Sequence, residues 1–441
     1  MKQWKMAARL AGFFACLALL ILFANTHLLQ TDTVAYLTLR EMKARSDIEL
    51  AIVGSSVVRD HFDPALITEE TGKTTFCAAV PCASLPADIA MTEEMLRTSR
   101  PEWVVAVMEP YNFNTTKEEF EAQYKLMPML TSPRTALDYY LRLCEADGDY
   151  IDRLLLFRAQ MASPAEIQKT FGLRYNTEAA FERVKDTFDE GVAYMGGGFL
   201  RYDVEADAAD EIRRRMQRRE ATRWEYSLFP QSQRALLDYK ALCEKHGARL
   251  MILIYPMHTA HALANPDFIP YNESLMTFCR ENGIPCVNFA YAKPEFMPNL
   301  DEYYFDLDHM NAEGAEILSR AFADFFVRYT AGEDVGSLFY ADQHAYLASI
   351  DWITNCWLTL EESGEYTADC NRAPGTQAEY RFVLRDAHGQ ETLLSDYSAA
   401  HAITAQIPEG SNLRVYARAA GQAQDERVYF DYPGDLAATE N

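Results

Sequence analysis

Two short segments of the sequence combine residue types that can perform nucleophilic catalysis. Ser56 ends the tripeptide GSS that follows the apolar run ELAIV at residues 49–53, and Asp306 stands three residues before His309. A serine hydroxyl becomes a nucleophile when a histidine takes its proton, and a carboxylate fixes the tautomer of that histidine. Each segment alone is a weak signal. Together they predict a Ser56–His309–Asp306 triad, with Asp308 as the second choice of carboxylate.

Four apolar runs, rich in β-branched and aliphatic residues, predict the buried strands that would position these segments. They are 49–53 (ELAIV), 74–78 (TTFCA), 103–108 (WVVAVM) and 250–255 (LMILIY). Amphipathic segments separate or follow them, and such alternation is typical of parallel βαβ units in a doubly wound α/β sheet. Sites in these folds lie outside the carboxyl ends of the strands. Ser56 would leave the first strand there, and His309 would precede a helix predicted at 311–329.

The same residues resemble sequence blocks of the SGNH (GDSL-like) hydrolase superfamily. Ser56 has the block I position in AIVGSSVVRDHFDP, and Asp306 and His309 match block V in YYFDLDHMNAEGAEILSRAF. The match covers roughly residues 49–115 and 230–329 and is most similar to a membrane-anchored bacterial branch that modifies teichoic acids and exopolysaccharides. The resemblance implies a flavodoxin-like SGNH fold and an acyl-serine mechanism without metal or organic cofactor. It also implies cell-envelope glycans or teichoic-type polymers as substrates.

The segments that supply the oxyanion hole in that family are incomplete in this chain. CAAVPCASLPAD contains no glycine, so the backbone N–H of Cys82 or Ala83 would have to donate. MEPYNFN offers Asn112 and Asn114 without the family's Gly-x-Asn-Asp pattern. We take Cys82 and Asn112 as candidate donors to a developing oxyanion. An asparagine that merely caps the following helix is an equal alternative for Asn112.

Two further residues are candidates for contact with substrate. His258 follows the fourth predicted strand and is expected at the same sheet edge as the nucleophile, where it would line the pocket. It could instead bind a metal together with His261, although no third ligand is evident, or bond to the backbone. Arg59, close to the nucleophile, could hold an anionic group or pair with Asp60 or Asp63.

The N-terminal segment predicts export. Three basic residues precede an apolar run at residues 10–24, which is long for a signal-peptide core and short for a membrane span of about 20 residues. Leu22 occupies the position where cleavage after Ala24 would require a small residue, so we favour an uncleaved single-pass anchor at 1–29. Because positive charge stays inside, the rest of the chain is expected outside the cytoplasm, at the cell membrane.

The remaining chain predicts two further regions. Between about residues 115 and 228 the pattern is helical without a convincing strand, which predicts a helical insertion in an α/β domain spanning 30–331. Within it, the triple glycine at 196–198 predicts a flexible loop. The basic run at 213–219 predicts a solvated helix face or a contact for phosphate-bearing polymers or headgroups. From 332 to 441, short alternating runs separated by turns predict an immunoglobulin- or fibronectin III-like β-sandwich.

Composition limits the partners and the covalent crosslinks. The net charge of −24 argues against nucleic acid as a partner, because no positive field would collect phosphates.

Among nine cysteines, Cys356 and Cys370 are the best candidates for a disulfide in an exported chain. Four others are expected to be buried thiols: Cys77, Cys82, Cys279 and Cys286.

Two other classes of function remain open at this stage. A degenerate domain of the same fold could bind glycan or a protein without catalysis, which the incomplete oxyanion segments favour and the intact Ser56, Asp306 and His309 disfavour. The chain could also be an accessory subunit of an acyl-export complex, beside a membrane acyltransferase. The distance between Ser56 Oγ and His309 discriminates catalysis from the non-catalytic alternative.

Overall fold

The structure is a computed structural model. It describes the following residues: 2–28, 33–109, 124–147, 163–165, 167–168, 188, 190–204, 228–256, 268–306, 308–349, 355–361, 363–371, 378–408, 410–420 and 427–433. Several sequence predictions fall outside these ranges and concern Asn112, Asn114, His258, His261 and the basic run at 213–219.

The N-terminal apolar run forms the helix α1 (Lys2–His27). Its window Trp4–Ile21 has a mean hydropathy of 1.6, and none of that window is buried in the protein. A helix of this length extends about 39 Å at 1.5 Å per residue, compared with about 30 Å for a bilayer core. By length and composition, α1 is therefore able to cross a membrane. The next helix, α2 (Thr33–Ala44), instead buries apolar side chains in the core that follows.

The centre of the fold is a five-stranded parallel sheet. Its strands are β1 (Leu50–Gly54), β2 (Thr75–Ala79), β3 (Trp103–Met108), β4 (Arg249–Ile254) and β5 (Cys286–Asn288). They are arranged in the order β2-β1-β3-β4-β5, and every neighbouring pair is parallel. This is the flavodoxin-like order of doubly wound sheets, so the predicted fold class is confirmed. Only β5 was not predicted, because three residues are too few to show a strand pattern.

Helices cover both faces of this sheet. They are α3 (Ser56–His61), α4 (Pro64–Thr71), α5 (Leu85–Met95), α6 (Pro133–Asp147), α7 (Pro230–Lys245), α8 (Phe268–Glu281) and α9 (Ala312–Thr330). Short 3-10 helices lie at Tyr124–Met129, Phe289–Tyr291, Asp301–Tyr303 and Gly336–Leu338. Alternate strand residues point into two separate apolar cores. The helices α2, α5, α6, α7 and α8 bury side chains in one core, and α3, α4 and α9 in the other.

The region between 115 and 228 contains a β-hairpin that the sequence analysis did not predict. Its strands, Val192–Gly196 and Phe199–Tyr202, pair in antiparallel register, and we name this element the docking hairpin. The glycines at 196–198 have φ values of 88°, 62° and 86°, in the left-handed region that side chains disfavour. The prediction of a flexible loop there was wrong, because the three glycines build the tight hairpin turn. Strands of four and five residues are too short to stand out in sequence.

The docking hairpin covers the edge of the sheet at β2. The carbonyl of Gly197 accepts a hydrogen bond from the Cys77 N–H at 2.8 Å. A Cβ added to Gly198 would lie 1.8 Å from the Cys77 carbonyl oxygen. Glu41 of α2 accepts hydrogen bonds from the Gly197 N–H at 2.9 Å and the Tyr194 hydroxyl at 2.8 Å. These contacts pair part of a strand edge that would otherwise expose its backbone groups.

The C-terminal region is a β-sandwich, as predicted. Its strands are β6 (Asn355–Leu360), β7 (Tyr366–Asn371), β8 (Ala378–Arg385), β9 (Glu391–Ser398), β10 (Ala402–Ala405), β11 (Asn412–Ala419) and β12 (Arg427–Pro433). They form two antiparallel sheets, ordered β10-β7-β6 and β9-β8-β11-β12. Ala368 and Cys370 of one sheet share a core with Tyr380, Phe382 and Val415 of the other.

The cysteines differ from prediction at two points. Cys370 lies opposite Cys356 in the β6–β7 register, but it is a free thiol buried between the sheets, so the predicted disulfide is not formed. Cys82 is exposed because it sits in a surface turn, and the prediction that it is buried was wrong. Cys77 and Cys279 are buried thiols as expected, and Cys286 is half-buried.

The segment after the predicted boundary at residue 331 packs against the α/β core. Phe339 meets Phe289 edge-to-face at 5.4 Å between ring centroids, and Tyr346 stacks on Tyr291 at 4.9 Å. The Tyr340 N–H donates to the Tyr291 carbonyl at 2.8 Å. Tyr346 belongs to the helix α10 (Gln343–Ser349). The α/β core therefore includes aromatic residues up to α10. This helix ends about 18 residues beyond the boundary that was predicted at residue 331.

Candidate active site

Ser56 is delivered to the carboxyl edge of the sheet by a close-packed turn. It follows β1 and is the first residue of α3, where its side chain is half-buried. A Cβ on Gly54 would lie 2.7 Å from Val58 Cγ2 and 3.0 Å from the Val107 carbonyl oxygen. Only glycine lets the chain turn this close to the neighbouring strand β3. Such packing leaves the Ser56 hydroxyl at the position where α/β proteins place their sites.

Ser55 fixes the same turn through its side chain. Its hydroxyl caps α3 by accepting from the Val57 N–H at 3.4 Å, and it donates to the carboxylate of Glu109, which directly follows β3. Asp88 of α5 is completely buried near this carboxylate. Burial, and then the charge of Glu109, raise the pKa of Asp88 well above its ordinary value. Both effects favour the neutral carboxyl form of Asp88 over a second buried negative charge beside Glu109.

The loop that carries His309 is held at both ends. The Phe305 N–H donates to the His309 carbonyl at 3.0 Å, and the Asn311 N–H donates to the Tyr303 carbonyl at 3.0 Å. The Asn311 side chain caps α9 by accepting from the Gly314 N–H at 3.0 Å. A Cβ on Gly314 would lie 2.4 Å from the Tyr303 carbonyl oxygen. Asn311 and Gly314, which lie in the matching segment DHMNAEG, therefore build the loop that carries His309.

The structure brings Ser56, His309 and Asp306 into direct contact. His309 Nε2 lies 2.8 Å from Ser56 Oγ, across 253 residues of sequence. His309 Nδ1 lies 2.9 and 2.8 Å from the two carboxylate oxygens of Asp306. Asp306 Oδ1 also accepts from the backbone N–H groups of Asp308 and His309, at 2.8 Å each. Asp306, the first choice of carboxylate, is thus the partner of the imidazole. These contacts form the hydrogen-bonded chain that an activated serine requires.

Negative charge surrounds the imidazole. Burial lowers the pKa of His309, but the hydrogen bond and charge of Asp306, with the charges of Asp60 and Asp308, raise it to about 9 overall. Asp60 Oδ2 lies 3.9 Å from His309 Nε2, and its side chain is only 1 % exposed. These carboxylates therefore stabilise the protonated form of the His309 imidazole.

Arg59 pairs with Asp60, which is the second of its two predicted alternatives. Its Nη2 donates to Asp60 Oδ2 at 2.8 Å, and its side chain is 13 % exposed. Nη2 also lies 3.4 Å from the Tyr202 hydroxyl. Because its guanidinium is engaged by a buried carboxylate, Arg59 compensates the charge of Asp60.

Two aromatic residues that the sequence analysis did not select line the site. Tyr202, at the end of the docking hairpin, stacks on Phe305 with ring centroids 4.3 Å apart. Phe305 in turn lies parallel to the His309 ring at 5.7 Å. Phe305 could have been found through its place beside Asp306. Tyr202 gave no signal, because its contact depends on how the docking hairpin packs.

Cys82 lies in the turn that would complete an oxyanion hole. Two backbone N–H groups, those of Cys82 and Ala83, were predicted as oxyanion donors. The Ala83 N–H donates to the Val80 carbonyl at 3.0 Å and so closes the turn. Cys82 has a φ of 55°, and among the described residues it is the one non-glycine with positive φ. Pro81 precedes it, as is typical of type II turns, whose third position favours glycine. A left-handed backbone of this kind is the conformation that glycine adopts without steric cost.

Asn112 and His258 lie outside the described residues, as does His261, the possible metal partner of His258. Within the described ranges, no group of three His, Cys, Asp or Glu side chains is arranged to hold a metal ion.

The known proteins similar to this chain are similar in structure and not in sequence. No family model matches the sequence, and no curated protein sequence matches it. A proposed acylhydrolase from Bacteroides fragilis is similar in structure at 9% identity and a TM-score of 0.32, over 68% of this chain and 99% of that one. An alpha/beta hydrolase enzyme from the metagenome of Lake Arreo, Spain, is similar at 9% identity and a TM-score of 0.29, over 64% and 96%.

A third similar structure is a proposed platelet activating factor from Streptococcus pneumoniae. It has 11% identity and a TM-score of 0.28, over 66% of this chain and 90% of that one. TM-scores this low do not establish common function. We therefore classify this protein by its own residues. It is an α/β protein with Ser56, His309 and Asp306 in contact at the carboxyl edge of a parallel sheet.

Proposed function

We propose that the chain is an extracytoplasmic serine esterase or O-acyltransferase that acts through an acyl-serine intermediate. The observation that carries this proposal is the 2.8 Å contact between His309 Nε2 and Ser56 Oγ, with Asp306 on the other imidazole nitrogen. A non-catalytic binding protein would have no need to maintain three polar side chains in this alignment. The same contact counts against the reading of the chain as a glycan-binding or accessory protein.

In the first half of the reaction, Ser56 Oγ attacks the carbonyl carbon of an ester. His309 Nε2 takes the hydroxyl proton, while Nδ1–H remains bonded to Asp306. The carbonyl oxygen becomes an oxyanion that backbone N–H groups of Cys82 and Ser56 would stabilise. The tetrahedral intermediate then collapses, the ester C–O bond breaks, and His309 returns the proton to the departing alcohol.

In the second half, the acyl group leaves the serine by the same steps in reverse. His309 takes a proton from water or from an acceptor hydroxyl, whose oxygen attacks the acyl carbon. The bond between Ser56 Oγ and the acyl carbon breaks, and Oγ recovers its proton from His309. Water gives a free acid and makes the protein an esterase. A sugar or polyol hydroxyl gives a new ester and makes it a transferase.

The proposed substrates are acyl groups on cell-envelope glycans or teichoic-type polymers. The membrane-spanning potential of α1 supports a place at the membrane, and the family resemblance supports the substrate class by analogy. In this setting a membrane acyltransferase is a proposed partner that would supply the acyl group. Neither nucleic acid nor a cofactor has a part in the proposed reaction.

A groove beside the site bears on the choice between these polymers. It has a volume of about 720 Å³, lies between the docking hairpin, α4 and the start of α9, and includes Tyr202 of the aromatic stack. Its charged lining is Asp63, Asp203, Glu302, Glu313, Glu316, Arg201 and Arg320. This excess of carboxylates repels anions. A glycan that is neutral or amine-bearing near the reacting acyl group therefore suits the groove better than a polyanionic backbone does.

The test is covalent labelling with a fluorophosphonate, which reacts with activated serines. The purified full chain in detergent is expected to label, with the probe on Ser56 by peptide mass spectrometry. Ser56→Ala and His309→Ala are both expected to lose labelling, since one lacks the nucleophile and the other its base. A folded wild-type chain that does not label would contradict the proposal and favour a binding protein or an accessory subunit.

The neighbouring serine provides a matched control. Ser55→Ala removes the hydroxyl that bonds to Glu109 and is expected to reduce stability by about 1–3 kcal/mol, because a buried carboxylate loses one hydrogen-bond donor. The folded fraction of this variant should still label at Ser56. Loss of labelling in Ser56→Ala but not in Ser55→Ala assigns the nucleophile to one of two adjacent hydroxyls.

A further inference from the structure

His61 connects the helix of the nucleophile to the loop of the base. It is the last residue of α3, five residues after Ser56, and its side chain is completely buried. Its Nε2 accepts a hydrogen bond from the backbone N–H of Met310 at 2.9 Å. Met310 directly follows His309, so this bond joins the two halves of the site across 249 residues of sequence.

The bond requires one protonation state of His61. Nε2 can accept a hydrogen bond only when it carries no proton, so the ring is neutral and its proton is on Nδ1. Burial, followed by the charge of His309, lowers the pKa of His61 well below its ordinary value, and Asp308 opposes this only in part. An acceptor that does not titrate near neutral pH holds the loop in the same way throughout the working range.

The ring of His61 also packs directly against the base. Its centroid lies 6.1 Å from that of His309, with the two rings edge-to-face at 76°. Tyr255, at the end of β4, contacts His61 at 5.6 Å between centroids. The His61 carbonyl is held separately by the Ser319 hydroxyl of α9, at 3.4 Å. His61 is therefore fixed by its backbone from one side while its imidazole supports the loop from the other.

We propose that His61 is a positioning residue for the acyl-transfer reaction. By accepting the Met310 N–H, it fixes the distance and direction of His309 Nε2 relative to Ser56 Oγ. This inference rests on the proposed function, because it assigns His61 a role in that same reaction. His61 itself does not touch the reacting atoms.

Two variants separate this role from simple packing. In His61→Gln the side-chain oxygen can reach the place of Nε2 and accept the Met310 N–H, whereas the shorter side chain of His61→Asn reaches only the place of Nδ1. We expect His61→Gln to keep most of the fluorophosphonate labelling rate of the wild type. We expect His61→Asn to lose about 10- to 100-fold, the cost of a displacement near 1 Å at a catalytic group. Circular dichroism and thermal melting establish that both variants are folded.

Ser319→Ala is the matched control. It removes the hydroxyl that donates to the His61 carbonyl and accepts from the Asp63 N–H at 2.8 Å. The imidazole bond to Met310 stays intact, so the labelling rate of the folded variant is expected to remain close to that of the wild type. Equal losses in His61→Gln and His61→Asn would overturn the inference, because the accepted hydrogen bond would then not matter. A normal rate in His61→Asn would overturn it as well.

A second measurement in the same variants does not depend on turnover. NMR titration of the His309 imidazole reports its pKa in the full chain. We expect a value near that of the wild type in His61→Gln and a lower value in His61→Asn, because a displaced ring loses part of its contact with Asp306. An unchanged pKa in His61→Asn contradicts the inference. Absent labelling of the wild type would count against the proposed function, and the titration would still decide the role of His61.

Discussion

At the scale of single residues, the imidazole of His309 is surrounded by three carboxylates, and only Asp306 bonds to it. These charges raise its pKa to about 9 in spite of its burial. At neutral pH most of the free protein therefore holds an imidazolium, which cannot take a proton from Ser56. In the proposed reaction, the carboxylates that stabilise the imidazolium intermediate also reduce the fraction of chains whose His309 can accept a proton.

This balance predicts the pH dependence of the reaction. In the wild type, kcat/KM for an activated ester should rise with pH and level off above about pH 9, as His309 loses its proton. Asp306→Asn removes the main cause of the raised pKa, so the rise should move toward the ordinary value near 6.5. The plateau should fall by about 10⁴-fold, because the tautomer is no longer fixed. A profile that does not move in this variant would mean that another group titrates.

The same pKa links stability to pH. A histidine whose pKa is raised by folding contributes stability that is fully present below its unfolded pKa of about 6.5. That contribution is lost as the pH rises through about 9. The difference in unfolding free energy between the wild type and Asp306→Asn should therefore be larger at pH 6 than at pH 10. Urea unfolding at the two pH values measures it, and a difference independent of pH would contradict the ion pair.

Substitutions at Cys82 separate the role of its backbone N–H from the role of its side chain. If only its N–H serves the oxyanion, Cys82→Ala should keep the labelling rate, because the backbone donor is unchanged. Cys82→Gly should raise the unfolding free energy by up to about 1 kcal/mol, since its φ of 55° is costly for any residue with a Cβ. Thermal melting of the two variants compares them directly. A large loss of rate in Cys82→Ala would instead implicate the thiol.

At the scale of elements, the docking hairpin links the edge of the sheet to the site. Its turn packs on β2, and its last residue, Tyr202, stacks on Phe305 beside His309. The turn leaves no room for a side chain at Gly198. Any change that moves the turn is therefore expected to disturb the aromatic wall of the site as well.

Gly198→Ala tests this link, with Gly247→Ala as its control. Both glycines have similar positive φ, 86° and 80°, but a Cβ would clash with Cys77 only at Gly198 and meets nothing within 4 Å at Gly247. The control should lose about 1–2 kcal/mol for the backbone alone. Gly198→Ala should lose about 1–3 kcal/mol more from overpacking, and its labelling rate should fall. Equal losses would mean that the turn does not depend on this contact.

Comparison with the sequence analysis shows which features are encoded locally. Ser56 follows a strand and a glycine turn, and Asp306 and His309 share one loop, so short motifs were sufficient to bring the three together. His61 and Tyr202 were missed, because their contacts to Met310 and Phe305 exist only after distant segments pack. Four apolar runs predicted a doubly wound parallel sheet, and the family resemblance implied its flavodoxin-like type. The docking hairpin was not predicted, since its strands are short and its turn resembles a loop.

At the scale of the whole molecule, the α/β core supplies the described contacts of the candidate site and the β-sandwich does not. Every described residue in contact with Ser56 or His309 lies before the sandwich. A chain ending after α10 at Ser349 should therefore fold and label with fluorophosphonate. A chain ending at residue 331 should lose about 3 kcal/mol or more, because Phe339 and Tyr346 no longer pack on Phe289 and Tyr291. Urea unfolding of the two truncations measures this difference.

The helix α1 gives a second prediction at this scale. The full chain should remain with the membrane fraction after carbonate extraction, and a chain beginning at Thr33 should be released. The shortened chain should keep its labelling rate, because none of the described contacts of Ser56, Asp306 or His309 involves α1. Release of the full chain by carbonate would contradict a spanning anchor.

The 253 residues that separate Ser56 from His309 also set the order in which this protein matures. During synthesis the nucleophile emerges early, the docking hairpin that covers the edge of β2 follows more than a hundred residues later, and the base comes last. Contacts between such distant segments form slowly, because a long loop must close first. If the proposed mechanism holds, a chain that ends before residue 309 has its serine but no base, and it is expected to be inert.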